Sequence, residues 1–381
     1  MRISSITIYV LESSLPRPFG WSQGWIDKRS TTLVRVDTNA GVSGWGEGAG
    51  PAIIASLAPL LIGEDPTNRL GLWQRMFNTL YNGAVTSGMG GSAISALDIA
   101  LWDIAGQAAD RPIWDLLGGR IRDRVAVYAT GLYYTEGEFP NRLLDEARGY
   151  VDAGFLGMKT KVGGLSIAED VKRVAALRDA IGPDIHLAVD ANQAYNAASA
   201  IRIGERLADY DILWFEEPVN ARDIDGYLQV KAALPMSIAG GEVLRMRYEF
   251  KDFCARRAFD IAQPDIAHVG GITEMRRVAD LANSFGILVN PHVWASPVMI
   301  AATLHVASTI PPCPPARDPQ PFVQEPVMEF DRTPSAIREE LCARPFDQSG
   351  GYIAVPDAPG LGIEVDQRAV DRLAVMSETY T

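Results

Sequence analysis

Hydrophobic and polar positions follow two different patterns along the chain, and the change comes near residue 125. In the first 50 residues, apolar and polar residues alternate in ISSITIYVL, TTLVRVDT and GVSGWGEG, which predicts three strands. The turn-rich segment SSLPRPFGWSQGWIDKRS is predicted to be a loop between the first two. Residues 66–118 then show helical spacing, clearest in SAISALDIALWDIAGQ. Strands followed by helices predict an N-terminal α+β domain.

Beyond residue 125, short apolar runs alternate with amphipathic segments of helical spacing. The runs are VAVYATG, GMKTKVG, HLAVDAN, LWFEEPV, MSIAGG, FDIAQPD and ILVNPHV. Near-continuous apolar strands are typical of a parallel sheet covered on both faces, so we predict an α/β fold with a β/α barrel. We place the capping domain at 1–122 and the barrel at 123–325. A C-terminal segment, 326–381, is expected to pack back on the capping domain.

Three acids end successive predicted strands at intervals of 26 residues: Asp190, Glu216 and Glu242. One strand and one helix fill such an interval, so all three acids are predicted to lie on the rim at the C-terminal ends of the strands. That rim is where β/α barrels have their active sites. Three converging carboxylates repel one another unless a cation lies between them, and oxygen ligands with room for water suit Mg²⁺. The spacing therefore predicts a metal-dependent enzyme.

Two lysines, Lys159 and Lys161, lie one strand earlier and two residues apart, so their side chains share one face. Two neighbouring ammonium groups lower each other's pKa, and one of them could then act as a base. An isolated Lys-x-Lys pair is more typical of solvated lysines at a strand end. Its place one unit before the acids favours the catalytic interpretation.

A second proton-transfer group is predicted at His292, which follows Asp265 by 27 residues at the next strand end. A carboxylate bonded to the imidazole would fix its tautomer and keep it basic. Glu325 is a candidate protonated acid that donates a hydrogen bond to an oxyanion, although a plain Glu-Pro turn fits the spacing nearly as well. Asn192, two residues after Asp190, is a candidate ligand of the metal shell or of a substrate hydroxyl.

These motifs, in this order, resemble the enolase superfamily and within it the mandelate racemase subgroup. The resemblance rests on K-x-K, D-x-N, EEP, GGE, QPD…GG and NPHVW, on SALDIALWDIAGQ…LLGG and on PDAPGLGIE, and it covers nearly the whole chain. It implies a modified TIM barrel, (β/α)7β, under an α+β capping domain formed by the N-terminus and the C-terminal tail. It also implies Asp190, Glu216 and Glu242 as Mg²⁺ ligands and a homo-oligomer.

The resemblance further implies roles for the remaining groups. Lys161 is one base, Lys159 is its partner near the substrate carboxylate, the Asp265–His292 pair is the opposing base or acid, and Glu325 acts beside the carboxylate. The shared chemistry is removal of a proton alpha to a carboxylate. The run HVWASPVMIAATLH resembles enzymes of acid sugars, including galactarolactone cycloisomerases. We therefore expect β-elimination on an acid sugar or its lactone, with racemisation or epimerisation of a 2-hydroxy acid as the alternative.

The predicted loop from Leu15 to Lys28 is expected to close over the substrate. Its candidate substrate-binding residues are Arg17, Trp21, Gln23 and Trp25, although aromatic residues there suit interdomain packing equally well. A non-catalytic binding barrel and a metal-water hydrolase are the alternatives of other classes. A non-catalytic barrel would lack a metal ligand or a base. A metal-water hydrolase would leave Lys159 and Lys161 without a catalytic role.

The composition restricts which partners and cellular locations suit the chain. A net charge of −12 without a block of basic residues excludes a nucleic-acid partner. No apolar run reaches the ~18 residues of a membrane span. Three cysteines, Cys254, Cys313 and Cys342, lack metal-ligand spacing and suggest reduced thiols in a cytoplasmic protein whose partner is a small carboxylate.

Overall fold

Two β-sheets organise the described part of the chain, residues 1–83, 85–137 and 139–381 of a computed structural model. In chain order the strands are β1 (Ile3–Trp21), β2 (Gly24–Thr38), β3 (Ser43–Gly48), β4 (Arg124–Thr130), β5 (Gly157–Lys161), β6 (His186–Asp190), β7 (Ile212–Glu216), β8 (Ser237–Gly240), β9 (Ile261–Ala262), β10 (Leu288–Val289), β11 (Val327–Asp331), β12 (Tyr352–Ala354) and β13 (Ala374–Tyr380).

The helices lie between these strands. They are α1 (Pro51–Leu57), α2 (Arg69–Tyr81), α3 (Met89–Ala109), α4 (Ile113–Leu116), α5 (Asn141–Asp152), α6 (Ile167–Ile181), α7 (Ala197–Leu207), α8 (Ile224–Ala233), α9 (Met246–Arg256), α10 (Gly271–Ser284), α11 (Pro297–Ala307), α12 (Ala336–Glu340) and α13 (Gln367–Leu373), with short 3₁₀ turns at Ala58–Leu60 and Ala208–Tyr210. None of the helices in the described ranges combines the length and apolar character of a membrane span.

The larger sheet is a parallel barrel in which the strands follow the order β10-β9-β8-β7-β6-β5-β4-β11. One helix follows each strand from β4 to β10, namely α5 to α11, which gives the (β/α)7β arrangement. Between β10 and β11 the barrel is closed by the Glu329 amide, which donates to the carbonyl of Pro291 at 3.3 Å. The predicted α/β barrel is therefore confirmed. The barrel extends through β11, so the boundary predicted at 325 falls before its last strand.

Side chains that alternate along the barrel strands belong to two hydrophobic clusters, one inside the barrel and one between the strands and the surrounding helices. Tyr128, Trp214 and Val327 belong to a small cluster inside the barrel, whereas Met328 and Phe330 belong to the larger cluster beneath the helices. Because strand residues two apart face the same side, Glu329 must point inward with Val327. The same parity directs the site side chains into the barrel.

The smaller sheet, ordered β13-β1-β2-β3, is the cap. Helix α3 packs closely on β3 because glycines occupy every second position of that strand. A Cβ at Gly44 would lie 2.3 Å from the Ala100 carbonyl oxygen, and one at Gly46 would lie 1.8 Å from that of Ala96. The C-terminal segment returns to this sheet, where β13 pairs antiparallel with β1.

The segment predicted as a loop between Leu15 and Lys28 is a β-hairpin instead. Strands β1 and β2 continue into it and pair Phe19 with Ile26 and Trp21 with Gly24. Their register is interrupted between Ser14 and Phe19, where Pro16 and Pro18 carry no amide hydrogen to donate. The hairpin tip is attached to the barrel, since Gly20 and Tyr134 exchange backbone hydrogen bonds of 2.8 and 2.9 Å.

Candidate active site

Charged side chains from four neighbouring parts of the barrel meet inside its C-terminal end. Lys159 and Lys161 lie on β5, Asp190 ends β6, Glu216 ends β7 and Glu242 follows β8. Asp190 and Glu216 are fully buried, and the Glu242 side chain is 17% exposed. The barrel thus brings together the three acids expected from the 26-residue spacing and the two lysines expected one strand earlier.

The three acids fit a hard divalent cation. One carboxylate oxygen from each of Asp190, Glu216 and Glu242 lies within 4.8 Å of the other two. Three hard oxygen donors converging at that separation are a ligand set suited to Mg²⁺, with further positions left for substrate or water. The geometry therefore allows these residues to hold the ion that the sequence predicts.

Burial and neighbouring charges shift the pKa values of Asp190 and Glu216 in opposite directions. Burial raises the pKa of Glu216 to about 7, even though Lys159 counteracts it and lies 2.7 Å from its Oε1. Burial also raises the pKa of Asp190, but Lys161 and Lys159 outweigh that effect and leave the pKa below its usual value. Each acid is thus held by a lysine ammonium group inside the barrel.

Both lysines are buried and paired with acids. Lys161 Nζ donates to Asp190 Oδ2 at 2.5 Å, and Lys159 Nζ lies 3.1 Å from Glu329 Oε1. Burial alone lowers the pKa of each lysine, but the carboxylates raise it above its ordinary value. The predicted lowering of one lysine pKa by the other is present, since Lys159 lowers the pKa of Lys161. The surrounding acids raise that pKa by more, so the net shift is upward.

The predicted Asp265–His292 pair is formed. His292 Nδ1 lies 2.7 Å from Asp265 Oδ2, while its Nε2 lies 3.3 Å from Glu242 and 3.4 Å from Glu329. Burial lowers the pKa of His292, yet these three carboxylates raise it to about 10. Since Asp265 also accepts the Ala267 amide at 2.8 Å, it holds the imidazole in one orientation. Nε2 is thereby presented toward the acids.

Glu325 does not take part in this cluster, so its predicted role is wrong. It precedes β11 and lies 3.5 Å from Arg122, which precedes β4, so both belong to the N-terminal ends of the barrel strands. Glu329, in the middle of β11, is the carboxylate that reaches Lys159 and His292. Burial raises the pKa of Glu329, but Lys159 and His292 outweigh it, so the net shift is downward.

A cavity of about 250 Å³ opens onto this cluster. It is lined by Phe19, Trp21, Ile26, Tyr133, Lys161, Asn192, Glu242, His292, Trp294 and Glu329. The first three belong to the capping hairpin and the rest to the barrel. Lys161 and His292, from β5 and from the end of β10, therefore face one enclosed space beside Glu242.

Two family models match nearly the whole chain. The mandelate racemase/muconate lactonizing enzyme N-terminal domain matches residues 5–118, and the enolase C-terminal domain-like model matches residues 142–369. The chain belongs to the mandelate racemase/muconate lactonizing enzyme family. It is an enzyme of the enolase superfamily, as its motifs predicted.

Named relatives of this family act on acid sugars. D-galactarolactone cycloisomerase of Agrobacterium fabrum is 37% identical over 97% of this chain and 98% of its own. The structure of 3,6-anhydro-D-galactonate cycloisomerase from Zobellia galactanivorans matches with a TM-score of 0.88 and 35% identity, over 99% of this chain and 100% of that one. L-talarate dehydratase from Polaromonas sp. JS666, complexed with Mg and L-glucarate, matches with a TM-score of 0.85 and 28% identity, over 100% and 99%.

The substrate-binding residues predicted for this family member divide into two groups. Trp21 and Asn192 line the cavity. Arg17 and Trp25 instead line a separate surface depression together with Glu136, and Trp25 is 53% exposed. Trp25 pairs with Gly20 and so lies on the hairpin face opposite to Phe19 and Ile26, whereas Arg17 lies between Ser14 and Phe19, where the register is interrupted.

Gln23 has a supporting position. Its amide nitrogen donates to the Asn192 carbonyl oxygen, while Ser22 Oγ lies 3.3 Å from Asn192 Oδ1. Asn192 in turn donates from its backbone to Asp190 Oδ1 at 2.8 Å. The hairpin tip is therefore connected through Asn192 to a candidate metal ligand.

Four cavity residues were not predicted individually, namely Ile26, Tyr133, Trp294 and Glu329, whereas Phe19 belongs to the segment expected to close over the substrate. Glu329 could have been found from its parity with Val327 in the apolar run VMEF. Trp294 stands two residues after His292 in NPHVW, which is also a detectable signal. No local pattern marks Ile26, because its place in the cavity depends on how the hairpin docks on the barrel.

Proposed function

We propose that this enzyme removes the proton alpha to the carboxylate of an acid sugar or its lactone and then eliminates the group on the β carbon. The observation that carries the proposal is the placement of Lys161 and His292 in one cavity with Glu242 and Glu329. Two proton-transfer groups from separate strands can reach a substrate carbon between them. The acid-sugar relatives support the choice of substrate class.

Asp190, Glu216 and Glu242 are the residues that would hold Mg²⁺, and the Mg-containing L-talarate dehydratase supports this assignment. When bound, the ion supplies positive charge that offsets the three carboxylates and stabilises the negative charge developing on the substrate carboxylate. The protein contributes the enclosed cavity and the fixed positions of these acids.

Lys161 and His292 divide the proton transfers in this proposal. Lys161 Nζ takes or returns a proton on one side of the substrate, and His292 Nε2 does so on the other, with Asp265 holding the ring. One of the two groups takes the alpha proton and the other protonates the leaving group. Lys159, placed between Glu216 and Glu329, binds on the side of the substrate carboxylate.

The test is incubation of Mg²⁺-loaded enzyme in D₂O with acid sugars and their lactones, followed by NMR. A 2-keto acid product with deuterium incorporated supports elimination. Deuterium at the alpha carbon with inversion and no keto product would replace the proposal with racemisation or epimerisation. Absence of exchange for all substrates, in enzyme whose Mg²⁺ content has been measured, would contradict it.

A further inference from the structure

The cavity wall has a composition that discriminates among acid sugars. Five of its ten lining residues carry apolar or aromatic side chains, namely Phe19, Trp21, Ile26, Tyr133 and Trp294. Three of them are neighbours, since Phe19 pairs with Ile26 across the hairpin and its ring centre lies 4.3 Å from that of Tyr133. Such a wall suits a substrate with a contiguous face of C–H groups.

The basic groups of the cavity are already committed to acids. Within the described ranges, the basic lining residues are Lys161, bonded to Asp190, and His292, bonded to Asp265; the lining contains no arginine. A second carboxylate on the substrate would therefore be placed against aromatic rings without a cation. Burying an unpaired carboxylate is strongly unfavourable, so open-chain dicarboxylates fit this wall poorly.

Trp294 is a rigidly held part of the wall. The Arg29 guanidinium lies 3.4 Å from the centre of the indole and donates to the Trp294 carbonyl oxygen at 3.1 Å. Arg29 is itself held by Asp331 at 2.7 Å. The indole Nε1–H is buried and has no hydrogen-bond partner among the described residues, so Trp294 presents ring carbons rather than its N–H to the cavity.

We infer that the preferred substrates carry one carboxylate on a ring, as lactones or anhydro forms of acid sugars do, in preference to open-chain dicarboxylates. This inference rests on the proposed function. The alpha proton passes to the base, its C–H electrons form the double bond to the β carbon, and the bond from the β carbon to the ring oxygen breaks. A lactone oxygen leaves as a carboxylate, and an anhydro oxygen leaves as a hydroxyl after protonation. The enol then becomes a 2-keto acid, so the overall reaction is an isomerisation without loss of water.

The experiment compares kcat/KM of the Mg²⁺-loaded enzyme for galactarolactone, 3,6-anhydrogalactonate, galactonate and galactarate, with alpha-proton exchange in D₂O recorded for each. We expect one of the two cyclic substrates to exceed both open-chain acids by at least about tenfold, which corresponds to about 1.4 kcal/mol. If galactarate or galactonate matched the better cyclic substrate, the ring preference would be overturned while the proposed function stood. If none of the four exchanged its alpha proton, the proposed function would fall as well.

A gain-of-function variant provides an independent test. Ile26→Arg adds a cation to the apolar wall at a half-buried hairpin position, and Ile26→Met is the uncharged control. We expect the arginine variant, but not the methionine variant, to raise kcat/KM for galactarate about tenfold relative to the cyclic substrates. Equal effects of the two variants would show that missing charge does not exclude dicarboxylates.

Discussion

Lys159 and Glu329 form an ion pair of 3.1 Å inside the barrel, where each side chain is 1% exposed. Glu329 also lies 3.4 Å from His292, so it connects the lysine side of the site with the imidazole side. Because the pair is almost inaccessible to water, its partners are held in place without competition from solvent. This position makes Glu329 the acid of β11 on which the site depends.

Glu329→Gln should therefore lower kcat/KM by about 100-fold or more, since it keeps the size of the side chain and removes its charge. The measurement is steady-state kinetics with the best acid-sugar substrate, accompanied by thermal unfolding to show that the variant folds. Glu325→Gln is the matched control and should keep kcat/KM within about threefold, because Glu325 lies beside Arg122 outside the cavity. The opposite ranking would refute the assignment of Glu329.

The Asp265–His292 hydrogen bond predicts strong coupling between these two residues. Asp265→Asn should reduce kcat by about 10-fold or more while changing KM little, because Asp265 orients the imidazole but does not line the cavity. Once His292 is replaced by Asn, the same Asp265 substitution should reduce kcat almost no further. A double-mutant cycle measures this, and additive losses would show that Asp265 acts independently of His292.

Metal binding should be visible as a stability change that depends on Glu242. Mg²⁺ that binds the folded state raises the melting temperature with increasing concentration. Glu242→Gln should abolish this rise, and EDTA should abolish turnover of the unmodified enzyme. Among the three acids Glu242 gives the cleanest test, because Asp190 and Glu216 also neutralise buried lysines and their loss would destabilise the fold itself.

The control for this prediction is the melting temperature without metal. Glu242 is partly exposed and its side chain pairs with His292, so its substitution should alter the metal-free melting temperature by only a few degrees. A Glu242→Gln protein that still gains the full Mg²⁺ stabilisation would place the ion elsewhere.

Sequence spacing predicted the barrel and the strand-end groups because both follow from short-range rules. A parallel strand and its helix occupy a nearly constant length, so Asp190, Glu216 and Glu242 had to reach the same rim. Alternation along β5 likewise placed Lys159 and Lys161 on the inner face. These outcomes need no knowledge of distant contacts.

The errors arose where a distant contact decides the local structure. Pro16, Pro18 and the nearby glycines are typical of a loop, but the hairpin is fixed by its bonds to Tyr134 in the barrel. The sequence predicts the acid at Glu325, whereas the start of β11 at Val327 makes Glu329 the acid that faces inward. A shift of a few residues in that start would exchange the two acids, and local sequence does not specify it at that precision.

His305 predicts a pH dependence of stability that is separate from catalysis. It is buried in α11, where its Nδ1 accepts the Trp114 amide at 3.3 Å and its Nε2 donates to the Leu361 carbonyl at 3.1 Å. Burial lowers the pKa of His305 from 6.5 to about 4. Because the folded state binds this proton more weakly than the unfolded state, the stabilisation is complete above pH 6.5 and is lost as the pH falls toward 4.

The neutral variant His305→Gln should lose that dependence. Between pH 7.5 and pH 4.5 the free energy of unfolding of the unmodified enzyme should fall by roughly 2 kcal/mol more than that of the variant. Urea unfolding at both pH values measures the difference, and comparing the two proteins cancels the titration of the other acidic groups. Parallel pH profiles would mean that the imidazole is protonated without cost in the folded enzyme, and the two hydrogen bonds would then not fix its neutral form. A steeper fall in the unmodified enzyme alone would show that the contact between α11 and the Trp114 amide of α4 is lost when His305 Nδ1 takes up a proton.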